Sequence, residues 1–447
     1  MKKLAFILVL LSIGVYGFAQ QENISEDIET LKEMVKQGSQ DAMGKLGYCY
    51  LTGTNIEKNE KEAFKLLNNA SKSGDAFSNF YVGKCHYEGI GTPKKYSKAF
   101  DHMSVAAQQN YEQTYKYLGR MYYFGEGVTK NKKEAVKWLK KAIEDEKDVE
   151  SLYLLATCYD TGEGILKNEA KSLEYFEKAA EKGHAQARIE QANAYRIGKG
   201  VAQNTAKAVE LYTLIANEGD KDAAYFLATC YETGDGVGQS YNSAFQWYLK
   251  AAEKGNIPAQ NKLGECYYKG IGTTQNYDEA FSWFSKAADA ANLEAYNNLG
   301  NCYYNGHGTT RDYKKAFANY VKASKNEMPE ALYNQAVCYS KGQGTKLDMR
   351  TSAQLLFKAA QAEYAPAQNL LATYYINGTG VDRDYKKAII WLEFATNQGN
   401  ADAFYNLGNC YARGLGVQKD KNKASELYSR AVELGHEDAK KELKKVQ

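Results

Sequence analysis

The sequence predicts an all-α fold, a right-handed α-solenoid or superhelix of eleven helix-turn-helix repeats of 36 residues with a single capping helix at each end. The main observation is a glycine that recurs eleven times, with nine intervals of 36 residues and one of 37. Apolar and small residues recur in step with it at helical spacing, and a period of this size is typical of stacked supersecondary units. These reference glycines are Gly53, Gly89, Gly125, Gly162, Gly198, Gly234, Gly270, Gly306, Gly342, Gly378 and Gly414.

The first helix of each repeat is predicted just before the reference glycine. Leu is common seven residues before it, Gly or Ala always stands six before it, and Tyr stands three before it in ten of the eleven repeats. Spacings of three, four and seven trace one face of a helix. The small residue lets a neighbouring helix approach closely, and the glycine ends the helix in a left-handed conformation.

The second helix of each repeat is predicted after a short turn. A second glycine follows the reference glycine by two positions in ten repeats, with Asn55 in its place in the first. Six positions after the reference glycine comes Asn, Asp or Ser in ten repeats, with Lys95 as the exception. Because such side chains accept hydrogen bonds from the exposed amides of a helix start, they mark the beginning of the second helix.

The repeats account for most of the chain and leave one lone helix at each end. Residues 20–38 are predicted to form an N-terminal capping helix, 39–436 the eleven repeats and 437–447 a C-terminal capping helix, with no separate domains. The C-terminal segment is mostly Lys and Glu outside its two apolar positions, as the polar end of a repeat array requires.

Residues 1–19 are predicted to be a signal peptide that is cleaved between Ala19 and Gln20. Lys2 and Lys3 provide a basic start, and an apolar run of about 13 residues follows. That run is shorter than the roughly 20 residues of a membrane-spanning helix. The mature protein is therefore expected to be secreted or periplasmic, with an uncleaved membrane anchor as the alternative.

The charge balance gives no general attraction to polyanions. The chain has 57 Lys and Arg against 54 Asp and Glu, and removal of the first 19 residues takes away two of the Lys. We therefore expect neither nucleic-acid binding nor adsorption to an anionic membrane. The sequence leaves the oligomeric state open.

The repeat resembles a known family unit. The segments Ala403–Asp420 and Ala259–Ala288 are similar to the Sel1-like repeat, a relative of the tetratricopeptide repeat with a two-glycine turn. The resemblance implies an adaptor or scaffold that holds protein or peptide partners, is not an enzyme and needs no cofactor. Two alternatives remain: a protein that binds glycan or cell-wall material, and a penicillin-interacting hydrolase like the disulfide-rich members of the family.

The eight cysteines indicate buried thiols. All eight stand four positions before a reference glycine, and Met, Ala or Tyr takes this position in the other repeats. A position that alternates with ordinary core residues is that of a small buried hydrophobe. Equivalent points on packed helices lie about 8–10 Å apart, whereas a disulfide needs α-carbons within about 7 Å. We therefore expect neither disulfides nor a zinc site.

Other chemical motifs are weak. The five histidines have no metal-ligand spacing, and the paired glycines follow helices, whereas dinucleotide-binding glycines follow strands. The sequence thus predicts no catalytic, cofactor-binding or metal-binding residue.

The candidate partner-binding surface consists of two rows on the first helices, which related helical arrays use to line their concave side. By that analogy the exposed positions stand nine, five and two residues before each reference glycine, and the first two of these form the candidate rows. Aromatic rings and amides at such positions suit an extended peptide or a partner helix, and Lys84, Lys116 and Arg120 would form a basic patch. The nine-before row contains Phe80, Lys116, Tyr153, Tyr225, Asn261, Asn297, Tyr333, Asn369 and Tyr405. The five-before row contains Lys84, Arg120, Glu265, Asn301 and Asn409.

Overall fold

The structure is a computed structural model that describes residues 24, 26–144 and 147–446. Within these residues it has 24 α-helices, two short 3₁₀ helices and no strand. The helices are α1 (Ile28–Lys36), α2 (Gln40–Thr52), α3 (Glu60–Ala70), α4 (Ala76–Glu88), α5 (Tyr96–Gln108), α6 (Thr114–Phe124), α7 (Lys132–Ala142), α8 (Val149–Thr161), α9 (Glu169–Glu181), α10 (Ala185–Ile197), α11 (Thr205–Asn217), α12 (Lys221–Thr233), α13 (Tyr241–Glu253), α14 (Ile257–Lys269), α15 (Tyr277–Asp289), α16 (Leu293–Asn305), α17 (Tyr313–Ala323), α18 (Pro329–Lys341), α19 (Met349–Gln361), α20 (Ala365–Asn377), α21 (Tyr385–Asn397), α22 (Ala401–Arg413), α23 (Lys421–Glu433) and α24 (Glu437–Val446).

The described chain divides into two compact units, one ending at Asn204 and the other starting at Thr205. In the first unit, four hairpins from α2–α3 to α8–α9 pack in sequence order between α1 and α10. In the second unit, six hairpins from α12–α13 to α22–α23 pack in sequence order between α11 and α24. The predicted all-α solenoid of helical hairpins with single-helix end caps is confirmed. The predicted cleavage site at Ala19 and Gln20 lies outside the described residues.

The two glycines of each turn have different tasks. The reference glycine caps the first helix in a left-handed conformation, and in the first repeat the N–H of Gly53 donates to the carbonyl of Cys49 at 2.8 Å. The second glycine lies against the start of the second helix of the preceding repeat. At Gly308, for example, an added Cβ would overlap the backbone carbonyl of Tyr277. Asn55 is accepted in the first repeat because α1 starts four residues later than a full second helix would.

The predicted helix starts are also confirmed. The side chain of Asn276 accepts from the backbone N–H groups of Asp278 and Glu279, both at 3.1–3.2 Å, and its counterparts cap most other second helices. Lys95 gives no side-chain cap to α5. Three of the four prolines lie in the first turn of a first helix, where the missing N–H costs nothing.

The core of each hairpin lies where the small residue six before the reference glycine meets a large residue fourteen after it. A Cβ on Gly300 would come within 2.6 Å of the Tyr320 ring, and a Cβ on Gly264 would come equally close to Phe284. The predicted close approach at this position is therefore confirmed. Among the described residues, no helix is long and apolar enough to cross a lipid bilayer.

Candidate binding face

The nine-before row is largely engaged in contacts between successive first helices. Phe80 and Asn261 are only 3% and 1% exposed, and Asn297 is also buried. The expectation that these three residues are exposed is therefore wrong. The row points toward the first helix of the next repeat in the same unit, so its side chains pack into the stack.

In the second unit, paired asparagines connect first helices. The side-chain amide of Asn298 donates to Asn261 at 3.0 Å, that of Asn334 donates to Asn297 at 2.9 Å, and a third bond of the same kind joins α22 to α20. In that third bond Asn406 donates to Asn369 at 2.9 Å. Each donor stands 37 residues after its acceptor. Asn261 and Asn297 are buried, and a buried amide must be paired to offset its desolvation, so these hydrogen bonds stabilise the stack.

Tyrosines in the same row make ring contacts. Tyr153 stacks on His184 with the ring centroids 4.3 Å apart, and Tyr405 stacks on His436 at the same distance. In each case the histidine Nδ1 accepts from a backbone N–H of the helix that starts directly after it, which leaves Nε2 as the protonated nitrogen. Burial raises the pKa of Tyr153.

Tyr225 and Tyr333 are half-buried tyrosines of the same row. Burial raises the pKa of both phenols. Tyr225 packs near Tyr248, and Tyr333 lies edge-on to Tyr364 at 5.6 Å. Among the candidate residues of the nine-before row, Lys116 is the exposed one, with 48% of its side chain accessible to solvent.

The side chains of the five-before row reach solvent more consistently than those of the nine-before row. From Lys84 onward every member is half-buried, so one edge of each side chain reaches solvent. Some members are also tied to the second helix of their own hairpin. The Tyr320 hydroxyl donates to Asn301 and the Tyr428 hydroxyl donates to Asn409, both at 2.9 Å. Glu265 accepts from the Asn261 amide at 3.1 Å.

The expected basic patch is partly neutralised. Arg120 lies 3.2 Å from Glu150 and 3.5 Å from Glu126, and Lys116 lies 3.8 Å from Asp148. These acids come from the turn of the same repeat and the start of the next repeat, so their proximity is not visible in the row itself. The basic patch expected at Lys84, Lys116 and Arg120 therefore has carboxylates beside two of its three members.

A third set of contacts was not predicted from the sequence. Tyrosines two before the reference glycine bond to the residue after the next reference glycine: the Tyr87 hydroxyl donates to Glu126 at 2.7 Å, and that of Tyr304 to Gln343 at 2.6 Å. Tyr268 and His307 form the same pair at 2.8 Å. In all three pairs the two residues are 39 positions apart, and this constant spacing could have predicted the contact from the sequence.

The eight cysteines lie in buried positions as thiols. Burial raises the pKa of Cys85 to about 12 and that of Cys338 to about 11, so these thiols are poor nucleophiles. Within the part of the chain that the structure describes, no group of three or more His, Cys, Asp or Glu side chains is placed to hold a metal ion.

Helical hairpins that contain a two-glycine turn and pack on their sequence neighbours define a repeat solenoid, a class that presents extended surfaces. The family comparison identifies the repeat. The chain belongs to the Sel1 repeat family, whose family model matches residues 40–75, 76–111, 115–146, 149–184, 192–220, 221–256, 257–292, 293–327, 329–364, 365–400 and 401–436.

Two solved structures support this assignment. A protective antigen present in uropathogenic Escherichia coli strains, displaying an SLR fold, is 27% identical with a TM-score of 0.76, over 94% of this chain and 90% of that one. A Sel1 repeat protein from Oxalobacter formigenes is 25% identical with a TM-score of 0.55, over 72% of this chain and 97% of that one. None of the curated proteins compared with this chain matches it.

Proposed function

We propose that this protein is an exported, non-enzymatic scaffold that binds a protein or peptide along its first helices. The observation that carries the proposal is the five-before row, which is half-buried on one first helix after another within each unit. A rigid row of this kind offers partly exposed side chains at regular spacing. Such spacing suits a partner that contacts several repeats at once, and membership of the Sel1 repeat family favours a scaffold.

The part of the row best suited to a partner lies where side chains are not committed to the stack. Val337 and Thr373 occupy the row in two successive repeats of the second unit, and both are half-buried. Within the part of the chain that the structure describes, the Thr373 hydroxyl donates to the carbonyl of Leu370 in its own helix, at 2.7 Å. Val337 and Thr373 therefore offer a surface that a partner can cover without breaking an interhelical hydrogen bond.

Site-specific photo-crosslinking tests this face. A benzoylphenylalanine at Thr373 should yield an adduct with a discrete partner in the native extracytoplasmic fraction. The matched control is the same residue at Lys314, which is exposed on the second helix α17. Adducts of equal yield from both positions, or none from Thr373, would argue against the first helices as the binding face.

Export rests on the basic and apolar start of the sequence. The protein should fractionate outside the cytoplasm, and mass spectrometry of its N-terminal peptide should begin at Gln20. A peptide that begins at Met1 in a membrane fraction would favour the anchored form. A protein that stays in the cytoplasm would contradict export altogether.

The absence of catalysis is also part of the proposal. Buried thiols with raised pKa values argue against a cysteine nucleophile. The purified protein should hydrolyse nitrocefin no faster than a heat-denatured control. Turnover above that control would support the penicillin-interacting alternative.

A further inference from the structure

One ring contact recurs between neighbouring repeats. A phenylalanine eleven positions after a reference glycine meets the tyrosine three before the next one, edge to face. Four such pairs have centroids 5.2–5.4 Å apart and planes at 88–90°. They are Phe100–Tyr122, Phe245–Tyr267, Phe281–Tyr303 and Phe317–Tyr339. Phe, Val, Leu or Ile takes the first position in nine of the ten repeats that precede another repeat.

The ninth repeat breaks this pattern. Ala353 stands where the three preceding repeats have phenylalanine, while Tyr375 and Gly380 keep their usual places in the next repeat. All three residues line an open cavity of about 560 Å³, which we call the α19 cavity. That volume lies in the range of ligand-binding pockets. The α19 cavity thus contains the tyrosine of the usual ring contact, Tyr375, but Ala353 provides no ring to pack against it.

The rim of the α19 cavity is apolar and exposed. Phe357 lines the cavity and is 40% exposed, and its ring lies edge-on to Trp391 at 5.9 Å. Trp391 in turn lies 5.8 Å from Phe394, which is 50% exposed. An apolar surface that extends beyond the cavity suits a macromolecular partner better than a small solute, because a small solute would leave the rim in water.

The charge at the cavity is positive. Arg350 and Lys358 line it, and no carboxylate is among its described lining residues. Lys358 has one ion pair, at 3.0 Å to Glu327, and both side chains are mostly exposed. Arg350 has no ion pair within 4.0 Å of another described residue, and its charge acts on Asp348, which caps the start of the same helix. The site therefore complements a group with negative charge next to its apolar part.

We propose that the α19 cavity receives an aromatic side chain of a partner protein whose neighbouring residues are acidic. The ring would lie against Tyr375 as phenylalanine rings do against tyrosine in other repeats, and Arg350 would face the acidic neighbours. The α19 cavity is lined by α19, by α20 and by the turn after α20, and none of its lining residues belongs to the five-before row. This inference therefore does not depend on binding along that row. Failure of one proposal leaves the other intact.

The test uses a short fluorescein-labelled peptide with one phenylalanine between aspartates and measures anisotropy with the full chain. Binding should be saturable, and Ala353→Phe should weaken it about tenfold or more because the ring position becomes filled. Ala353→Leu, which introduces a residue that the fourth repeat has at this position, should act in the same direction. Replacing the peptide phenylalanine by alanine should weaken binding to a similar extent.

Controls separate the cavity from general effects. Val209→Phe changes the same position of another repeat in the second unit and should leave binding within about twofold. Both phenylalanine variants should melt at or above the wild-type temperature; if Ala353→Phe does not fold, Ala353→Leu decides. No binding at millimolar peptide, wild-type affinity in the folded Ala353 variants, or equal affinity for a peptide with lysines in place of aspartates would each overturn the proposal.

Discussion

Alanine at Gly308 should loosen the contact between the seventh and eighth repeats, whereas alanine at Gly306, two residues earlier, should not. Both glycines are left-handed, with φ of +77° at Gly306 and +67° at Gly308. An alanine in this conformation costs about 1–2 kcal/mol at either position. The two variants therefore share one penalty, and their difference reports the contact between repeats.

The surroundings of the two glycines differ. A Cβ on Gly306 would lie 3.4 Å from the nearest atom, the backbone nitrogen of Arg311, which is close to ordinary contact. A Cβ on Gly308 would overlap the Tyr277 carbonyl and lie 2.9 Å from the Phe281 Cβ. The turn must then move away from α15, which loosens the Phe281 ring contact, worth about 0.5–1.5 kcal/mol. We expect a loss of about 1–2 kcal/mol for Gly306→Ala and about 1.5–3.5 kcal/mol for Gly308→Ala.

Urea unfolding and hydrogen exchange together measure this effect. Exchange is needed because repeat arrays do not always unfold in one step. Amides of α15 and α16 should lose protection in Gly308→Ala and keep it in Gly306→Ala. Asparagine tolerates the left-handed region, as Asn55 does at φ 60°. It should therefore rescue position 306 and not position 308. Equal losses in the two alanine variants would refute the assigned role of the second glycine.

Two further predictions concern the core. Alkylation of the unfolded protein without reductant should label eight thiols, and the native protein should react slowly because its thiols are buried; fewer than four labels would contradict the thiol assignment. Asn297→Ala should lower the free energy of unfolding by about 1 kcal/mol, because Asn334 loses the nearer of its two acceptors, at 2.9 Å, and keeps only the Asn301 Oδ1 at 3.3 Å. Thr373→Ala, which breaks no interhelical hydrogen bond, is the control for Asn297→Ala. Equal stability of these two variants would show that the asparagine pairs do not stabilise the stack.

The candidate face was only partly predictable. Both rows were expected to be exposed by analogy with related helical arrays. The structure leaves the five-before row half-buried from Lys84 onward, whereas Phe80, Asn261 and Asn297 of the nine-before row are buried. The analogy failed for these three residues because their side chains pack between successive first helices, a contact that the spacing within one helix does not show. In the structure Asn261 bonds to Asn298, and Lys116 and Arg120 meet acids contributed by a turn and by the following repeat.

The sequence by itself determined the helices, their starts and ends, the two-glycine turns and the buried thiol positions. These features depend on local geometry: a glycine permits positive φ, an Asn or Asp side chain caps its own helix, and a spacing of three or four residues defines a face. Only the tertiary structure decided which polar residues are paired and where the stack leaves a cavity. Asn297 and Asn334, or Ala353 and Tyr375, come together only when one repeat packs on the next.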